Sequence, residues 1–571
     1  MKRIIKYLVP YKKRIAAGLT IKMTGTVAEL LLPYFLTHIL DNVIKTMNIG
    51  RVAFYGVIMV ICAGIACAGN IIANRMAAGV TKGMAFKMRS DLFLKTLYLS
   101  SADTDRFTVP SLESRITTDT YNVQNFTGMI QRMGVRSPIL LIGGMCITFA
   151  MDYRLAFVML ATLPFIFGIV YGISKKGVPL YTDVQKSIDK MVRVVREDVQ
   201  GIRVIKALSK NDYENRRYDK VNLALSRKER KAGMITSIAN PVMTFLMNIG
   251  IAGVVSVAAV CVAKGVSSAA TVIAFMQYFT LISMAMMGLS RMFVMYTKCA
   301  ASARRIAEVL DTPDSYTVTD DKSQKDDNFI TFKNVSFSYL GKRDNLKNIS
   351  FSLKRGESLG IIGATGSGKS TLIKLLLRFY DTNKGEILIN GRNITSYTRE
   401  ELTSLFGTSL QNGFIYADTV RENICFGREL TDTQIQRAVK IAQAEEFISA
   451  LPEGYDKRLS SFGTNISGGQ RQRLLIARAV ANNPQILILD DSSSALDYKT
   501  AANLRNALRQ EMGNATVITV AQRISSVKDC DLILVLEDGE IIGSGKHGHL
   551  LENCPEYREI SDSQMGGAFI D

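Results

Sequence analysis

The sequence predicts a multidomain membrane protein: an all-α bundle of six transmembrane helices followed by a soluble α/β domain. Three observations predict it. Six apolar stretches lie within residues 1 to about 310, and each approaches the roughly 20 residues needed to cross a bilayer. The rest of the chain alternates strand and helix patterns, as α/β domains do. Within that part, a glycine-rich run, Gly363-Ala364-Thr365-Gly366-Ser367-Gly368-Lys369-Ser370, closes a strand and opens a helix. A chain of 571 residues is also too long for one core.

The expected spans lie near 15–39, 52–74, 132–151, 155–174, 236–262 and 269–290. Pro164, inside the fourth, is tolerable in a membrane bundle. Ahead of the first span, "MKRIIKYLVPYKKR" has too short an apolar core for a secretory signal and reads as an interfacial amphipathic helix. Six cations sit there (Lys2, Arg3, Lys6, Lys12, Lys13, Arg14), whereas 41–51 holds only Lys45 and Arg51. The positive-inside rule therefore places the N-terminus in the cytoplasm, and the formal net charge of +19 follows the membrane rather than a nucleic acid. No nucleic-acid partner is expected, because no groove-reading or base-stacking motif accompanies the charge.

The connections assigned outside (40–51, 152–154, 263–268) are short, and those assigned inside (75–131, 175–235) are long and helix-patterned. Helices are thus expected to project into the cytoplasm, turning at 111–120 and 196–208. Lys22 and Glu29 fall within the first span, seven residues apart and on nearly the same helix face. Intramembrane charges are costly, so a substrate contact and a polar pair with a neighbouring helix are both open. The sixth span carries Met276, Met284, Met286 and Met287 with Phe275, Phe279 and Phe293. Such a surface suits either an adaptable cavity or lipid-facing filler. The eight cysteines contain no CxxC pair, so reduced thiols are expected, and neither disulfides nor zinc is indicated.

Residues 311–327 are polar and aperiodic and read as a linker, which gives a membrane domain at 1–310 and a nucleotide domain at 328–571. In the glycine-rich run, backbone N–H groups can wrap phosphates at a helix N-terminus. Lys369 then neutralises the β- and γ-phosphates and the Ser370 hydroxyl reaches Mg²⁺. ATP and Mg²⁺ are the expected cofactors. Further on, "NISGGQRQRLLIARA" (465–479) lies seven residues before "ILILDD" (486–491), whose aliphatics deliver two acids to the end of a parallel sheet.

With these motifs in place the whole chain resembles the ABC transporters, and specifically exporters with one membrane domain fused ahead of one P-loop NTPase domain. The resemblance implies that Tyr339 stacks on adenine and that 363–371, through Thr371, hold the phosphates. It implies that Gln411 touches Mg²⁺ and the membrane-domain interface, and that Asp490 is the Walker B acid beside Ser370. Ser467, Gly468, Gly469 and Gln470 would form the signature loop, 494–497 the D-loop, and the turns at 111–120 and 196–208 the coupling helices.

Three positions depart from the family pattern. The family's general base is a glutamate after the Walker B aspartate, where this chain has Asp491. Its switch histidine falls at Gln522. The "LSSFGTN" run before the signature lacks the acid common in exporters. Asp reaches one C–C bond less far than Glu, and misplacement of ~1 Å can cost ~10²-fold in rate. Gln522 can hydrogen-bond a γ-phosphate but offers no imidazole that titrates near neutral pH.

In the family, ATP lies between the phosphate loop of one domain and the signature loop of another. A second half-transporter chain, retaining the glutamate and histidine, is therefore the expected partner in a heterodimer. The expected activity is ATP-driven export of amphipathic small molecules across a bacterial plasma membrane, with slow turnover at this chain's own site. A peptide or lipid cargo, a homodimer of two weak sites, and a non-transporting nucleotide-gated channel or regulator are the alternatives.

Overall fold

A computed structural model describes residues 2–314, 316–320, 327–339, 341 and 343–565. The chain divides into two compact units. One comprises Met1–Leu97 with Val109–Thr312, the other Tyr98–Thr108 with Pro313–Asp571. The expected linker falls partly outside the described residues.

The first unit is helical throughout. A short helix, α1 (Lys2–Leu8), leads into α2 (Lys12–His38) and α3 (Ile49–Leu97). After α4 (Ser101–Phe107), which belongs to the second unit, come α5 (Thr120–Met133), α6 (Arg136–Met151) and α7 (Tyr153–Gln200). Then follow α8 (Ile202–Ala207), α9 (Asn211–Ser237), α10 (Ala239–Ala263) and α11 (Ala269–Leu310). Five helices among the described residues are long and apolar enough to cross a membrane. The fourth expected span lies on α7, whose apolar stretch is Tyr153–Ile169. The helices run well past the apolar spans, since α3 reaches 49 residues and α7 reaches 48. At 1.5 Å per residue each is about 70 Å long, roughly twice the hydrocarbon thickness.

The amphipathic segment is pinned as well as placed. Ile4 is buried, Arg3 pairs with Asp311 at 3.0 Å, and the Tyr7 hydroxyl donates to Asp91 at 3.0 Å.

Lys22 and Glu29 do not share a partner. The buried Lys22 ammonium donates to Asn70 Oδ1 at 2.6 Å and Asn74 Oδ1 at 3.2 Å, both on α3. Glu29 accepts from Arg136 of α6 through two nitrogens, at 2.8 and 3.3 Å. Each charge thus ties the first span to a different neighbour. In α11, Phe275 and Phe279 are buried while Met276 and Met284 are exposed; the Phe293 side chain lies outside the described set.

The first expected cytoplasmic turn, 111–120, is helical. Residues 111–120 hold the end of a short helix, Val109–Ser114, and a π-helical turn, Arg115–Asp119, inside the first unit. Asp119 is fully buried there, paired with Arg305 and accepting from Ser302. The segment grouped with the nucleotide domain is 98–108, about ten residues earlier. The burial of Asp119 depends on a partner 186 residues away, which hydrophobic patterning does not reveal. The second turn, 196–208, contains α8.

In the second unit, a four-stranded antiparallel sheet has the order β2-β1-β4-β5, with β1 Ile330–Phe337, β2 Leu346–Leu353, β4 Lys384–Ile389 and β5 Arg392–Asn393. A six-stranded sheet has the order β10-β9-β3-β8-β7-β6. Its strands are β3 Ser358–Ile362, β6 Phe406–Ser409, β7 Ile486–Asp490, β8 Thr516–Val520, β9 Leu532–Glu537 and β10 Glu540–Gly545. All but β10 pair in parallel. β7 is buried at every residue, as a strand covered on both faces must be. Three helices carry the motifs: α12 (Lys369–Leu376), α13 (Gly468–Val480) and α14 (Tyr498–Glu511).

Candidate functional site

The parallel strands set the site. β3, β6, β7 and β8 end at the same edge of the sheet, in register at Ile361–Val520, Asp490–Val520 and Ser409–Leu489. Their carboxyl ends deliver the phosphate loop, Gln411, the Asp490–Asp491 pair and Gln522, which is where open α/β sheets bind ligands.

The glycines of the loop are required by space. Gly363 and Gly368 have φ of +151° and +104°. A Cβ on Gly363 would sit 2.1 Å from Leu536 O, and one on Gly368 2.7 Å from Leu346. Gly368 then caps α12, so the first helical N–H groups open into the loop.

A cleft of about 300 Å³ is lined by Thr365, Gly366, Gly368, Lys369, Ser370, Thr371, Gln411, Asp490, Asp491 and Gln522, with Asn345, Val520 and Ala521. Ala364 and Ser367 line an adjoining hollow. The buried Lys369 ammonium donates to Gly363 O at 2.8 Å and Ala364 O at 2.7 Å. Burial pulls its pKa below the ordinary lysine range, with Asp490 and Asp491 pulling it back. Burial, then the neighbouring Asp491 carboxylate, push the Asp490 carboxyl above its usual range, while Lys369 opposes that shift. The lysine is held by two neutral carbonyls in a desolvated loop, an arrangement a phosphate dianion would satisfy better.

The donor set suits Mg²⁺. Ser370, Gln411 and Asp490 line the same cleft, so a hydroxyl and a carboxylate oxygen face one space. Mg²⁺ characteristically takes one or two protein oxygens, with phosphate and water completing its shell. Ser370 and Asp490 are the residues that would hold it.

Asp491 follows directly at the strand end, half-buried, with its N–H donating to Val520 O at 2.9 Å. Its φ is +50°, a region where Asp is among the few tolerated non-glycine residues. Gln522 is exposed at the mouth of the cleft. Its backbone carbonyl accepts from Gln564 Nε2 at 2.8 Å, and Gln564 Oε1 accepts from Ile524 N–H at 2.9 Å. Asn345 and Gln564 were not legible as site residues: both come from distant segments and carry no motif.

Tyr339 stands beyond α12, outside this cleft. Its hydroxyl donates to Thr371 Oγ1 at 3.2 Å, and its ring meets Phe337 and Tyr380 edge-on at 4.9 and 5.0 Å. The Tyr380 hydroxyl in turn donates to Asp105 of α4.

The signature residues also lie outside the cleft. Ser467 caps α13 by accepting from Gln470 N–H at 3.2 Å, and Gln470 Oε1 accepts from Ser467 N–H at 2.9 Å, a reciprocal capping box. Further along α13, Gln472 donates to Ser409 Oγ at 3.1 Å, the atom that also meets Ser492 Oγ at 3.2 Å. The signature helix is thereby registered against the loop that follows Asp491.

A family model described as "ABC transporter transmembrane region" matches residues 15–286, and one described as "ABC transporter" matches 346–494. The chain is 33% identical over 572 residues, 99% of each chain, to the uncharacterized ABC transporter ATP-binding protein YfiB of Bacillus subtilis (strain 168). The chain belongs to the ABC transporters. Another member, MT1311 of Mycobacterium tuberculosis (strain CDC 1551 / Oshkosh), is 31% identical over 99% of this chain and 98% of its own. The fold is that of a bacterial Atm1-family ABC exporter solved with ATP bound, with a TM-score of 0.82 at 22% identity over 97% of this chain and 98% of that one. The ABC chain is thus a half-transporter of exporter architecture, with its membrane domain fused to a nucleotide-binding ATPase domain. Half-transporters of this family usually dimerise, and this one is a multi-pass membrane protein.

Proposed function

We propose that the chain is one subunit of a heterodimeric exporter of amphipathic small molecules, and that it contributes an ATP site that binds firmly and turns over slowly. The observation that carries this reading is the pairing of an intact phosphate loop with Asp491 and Gln522 in one cleft. The roles are assigned residue by residue. Gly363, Ala364, Thr365, Gly366, Ser367, Gly368, Lys369, Ser370 and Thr371 hold the triphosphate, Tyr339 stacks on the base, and Ser370, Gln411 and Asp490 serve Mg²⁺. Asp491 and Gln522 occupy the positions of general base and switch. Asp491 places its carboxylate one C–C bond further from an attacking water than glutamate would, and Gln522 carries no titratable proton.

Ser467, Gly468, Gly469 and Gln470 stand outside the cleft, on a helix end already satisfied by its own capping box. Their free surface supports a role on a partner's ATP, where a partner supplying glutamate and histidine does most of the hydrolysis. Closure of the two nucleotide domains on ATP would pass to the membrane helices and shift an equilibrium between inward- and outward-open states. The basic N-terminal segment supports a cytoplasmic N-terminus and nucleotide domain, and the bacterial relatives support a bacterial plasma membrane.

The experiment is to purify the chain alone and with a candidate partner, and to measure ATP hydrolysis and nucleotide occupancy of each. Firm binding with slow turnover alone, and fast turnover when paired, is expected. Brisk hydrolysis by the isolated chain sinks the reading.

A further inference from the structure

A second cavity of about 390 Å³, larger than the nucleotide cleft, runs beneath α14 on the central sheet. Its volume lies in the range of small-ligand pockets, ~300–1,000 Å³. Leu504 and Leu508 of α14, with Met512 just past its end, line one side, and Leu489 and Val517 of the sheet line the other. Interiors normally close over such apolar surface to near-crystalline density. Leu489, Leu504, Leu508 and Met512 are themselves buried, and the cavity opens beside them toward the polar residues of its lining.

The lining carries two arginines and two aspartates, which differ in how they are engaged. Asp529 is paired with Arg509 at 3.7 Å, and Arg509 also donates to the Asp529 backbone carbonyl at 3.1 Å. Asp531 accepts from Ser358 N–H and Oγ at 2.9 and 2.7 Å. Arg505, also on the lining, has no hydrogen-bond or ion-pair partner among the described residues.

We propose that this groove binds a single-chain amphipathic anion, with a carboxylate or phosphate head on Arg505 and an apolar body along Leu504, Leu508 and Met512. Guanidinium groups favour such heads because two parallel N–H donors match two oxygens. Occupancy bears on the ATP machinery through position. Leu489 precedes Asp490, and Ser493, also on the lining, donates to or accepts from Ser526 at 3.0 Å. The helix over the groove begins at Asp497, whose carboxylate accepts from Thr500 N–H at 2.9 Å and closes the loop that follows Asp491. A ligand that reseats α14 therefore reseats that loop. The inference does not rest on the proposed pairing of subunits.

The test uses the full-length chain in lipid nanodiscs and a decanoic acid carrying a terminal aliphatic diazirine, with cross-links mapped by peptide mass spectrometry. Cross-links within 498–512 are expected, and decanoate or decyl phosphate should suppress them at least ~10-fold more than decanol does. Which of the two anions competes better identifies the head group. Arg505→Gln should remove the advantage of the anions. Leu508→Trp should fill the groove and remove these cross-links while leaving ATP binding and any membrane-domain cross-links in place. Absence of cross-links in 498–512, equal competition by decanol, or undiminished labelling in either variant overturns the proposal. Should Leu508→Trp fail to bind ATP, the Arg505→Gln arm decides alone.

Discussion

Replacing Asp491 by Glu together with Gln522→His should raise ATP turnover of the isolated chain. The two side chains line one cleft with Lys369, Ser370 and Asp490, so both changes act beside the phosphate loop. Restoring the missing C–C bond moves a carboxylate by more than ~1 Å toward the attacking water, and a displacement of that size is worth ~10²-fold. That corresponds to about 2.7 kcal/mol of barrier. The backbone opposes part of the gain. Asp491 has φ of +50°, where a longer side chain without asparate-like local hydrogen bonding is less at home, at a cost within the ~1–2 kcal/mol typical of that region. A net acceleration of ~10-fold or more is expected, with a small fall in Tm. The assay is phosphate release by the chain alone in nanodiscs at saturating Mg-ATP, with nucleotide binding measured in parallel. An unchanged or slower rate, with ATP still bound and the fold intact, refutes the claim that these two residues limit hydrolysis.

Other perturbations separate binding from structure. Lys369→Met should weaken ATP binding by about 2 kcal/mol, roughly 30-fold in Kd, read with a fluorescent ATP analogue, because a charge-assisted phosphate contact is lost. Tyr339→Ala should weaken the same binding by ~3–10-fold, while Tyr339→Phe keeps the ring and loses only the Thr371 hydrogen bond. Ser467→Ala removes the cap of α13 and should lower unfolding stability by ~1 kcal/mol, leaving ATP binding to this chain's own phosphate loop unchanged. Glu29→Gln or Arg136→Gln alone should lower stability by ~1–2 kcal/mol, between the exposed and buried limits for ion pairs. The double variant should lose less than the sum, and additivity in thermal unfolding would show the pair to be uncoupled.

The nucleotide half was legible because its chemistry is local. This phosphate loop has glycines at three positive-φ positions and a lysine at a helix start, and those residues are close together in the chain. Spacing named Lys369 and Ser370, and the family resemblance named Asp490 and Ser467. The membrane half was legible only to the level of apolar spans, because hydropathy reports what contacts lipid and not where a helix stops. Folding decided that α3 and α7 run to about twice the bilayer thickness, that residues 98–108 group with the nucleotide unit, and that Asp119 is buried against Arg305. It also decided that Lys22 and Glu29 serve different helices, that Asn345 lines the cleft, and that Gln564 binds the Gln522 carbonyl. Each of these depends on atoms brought together across long stretches of sequence, and burial or pairing at such distances leaves no periodic trace in the residues themselves.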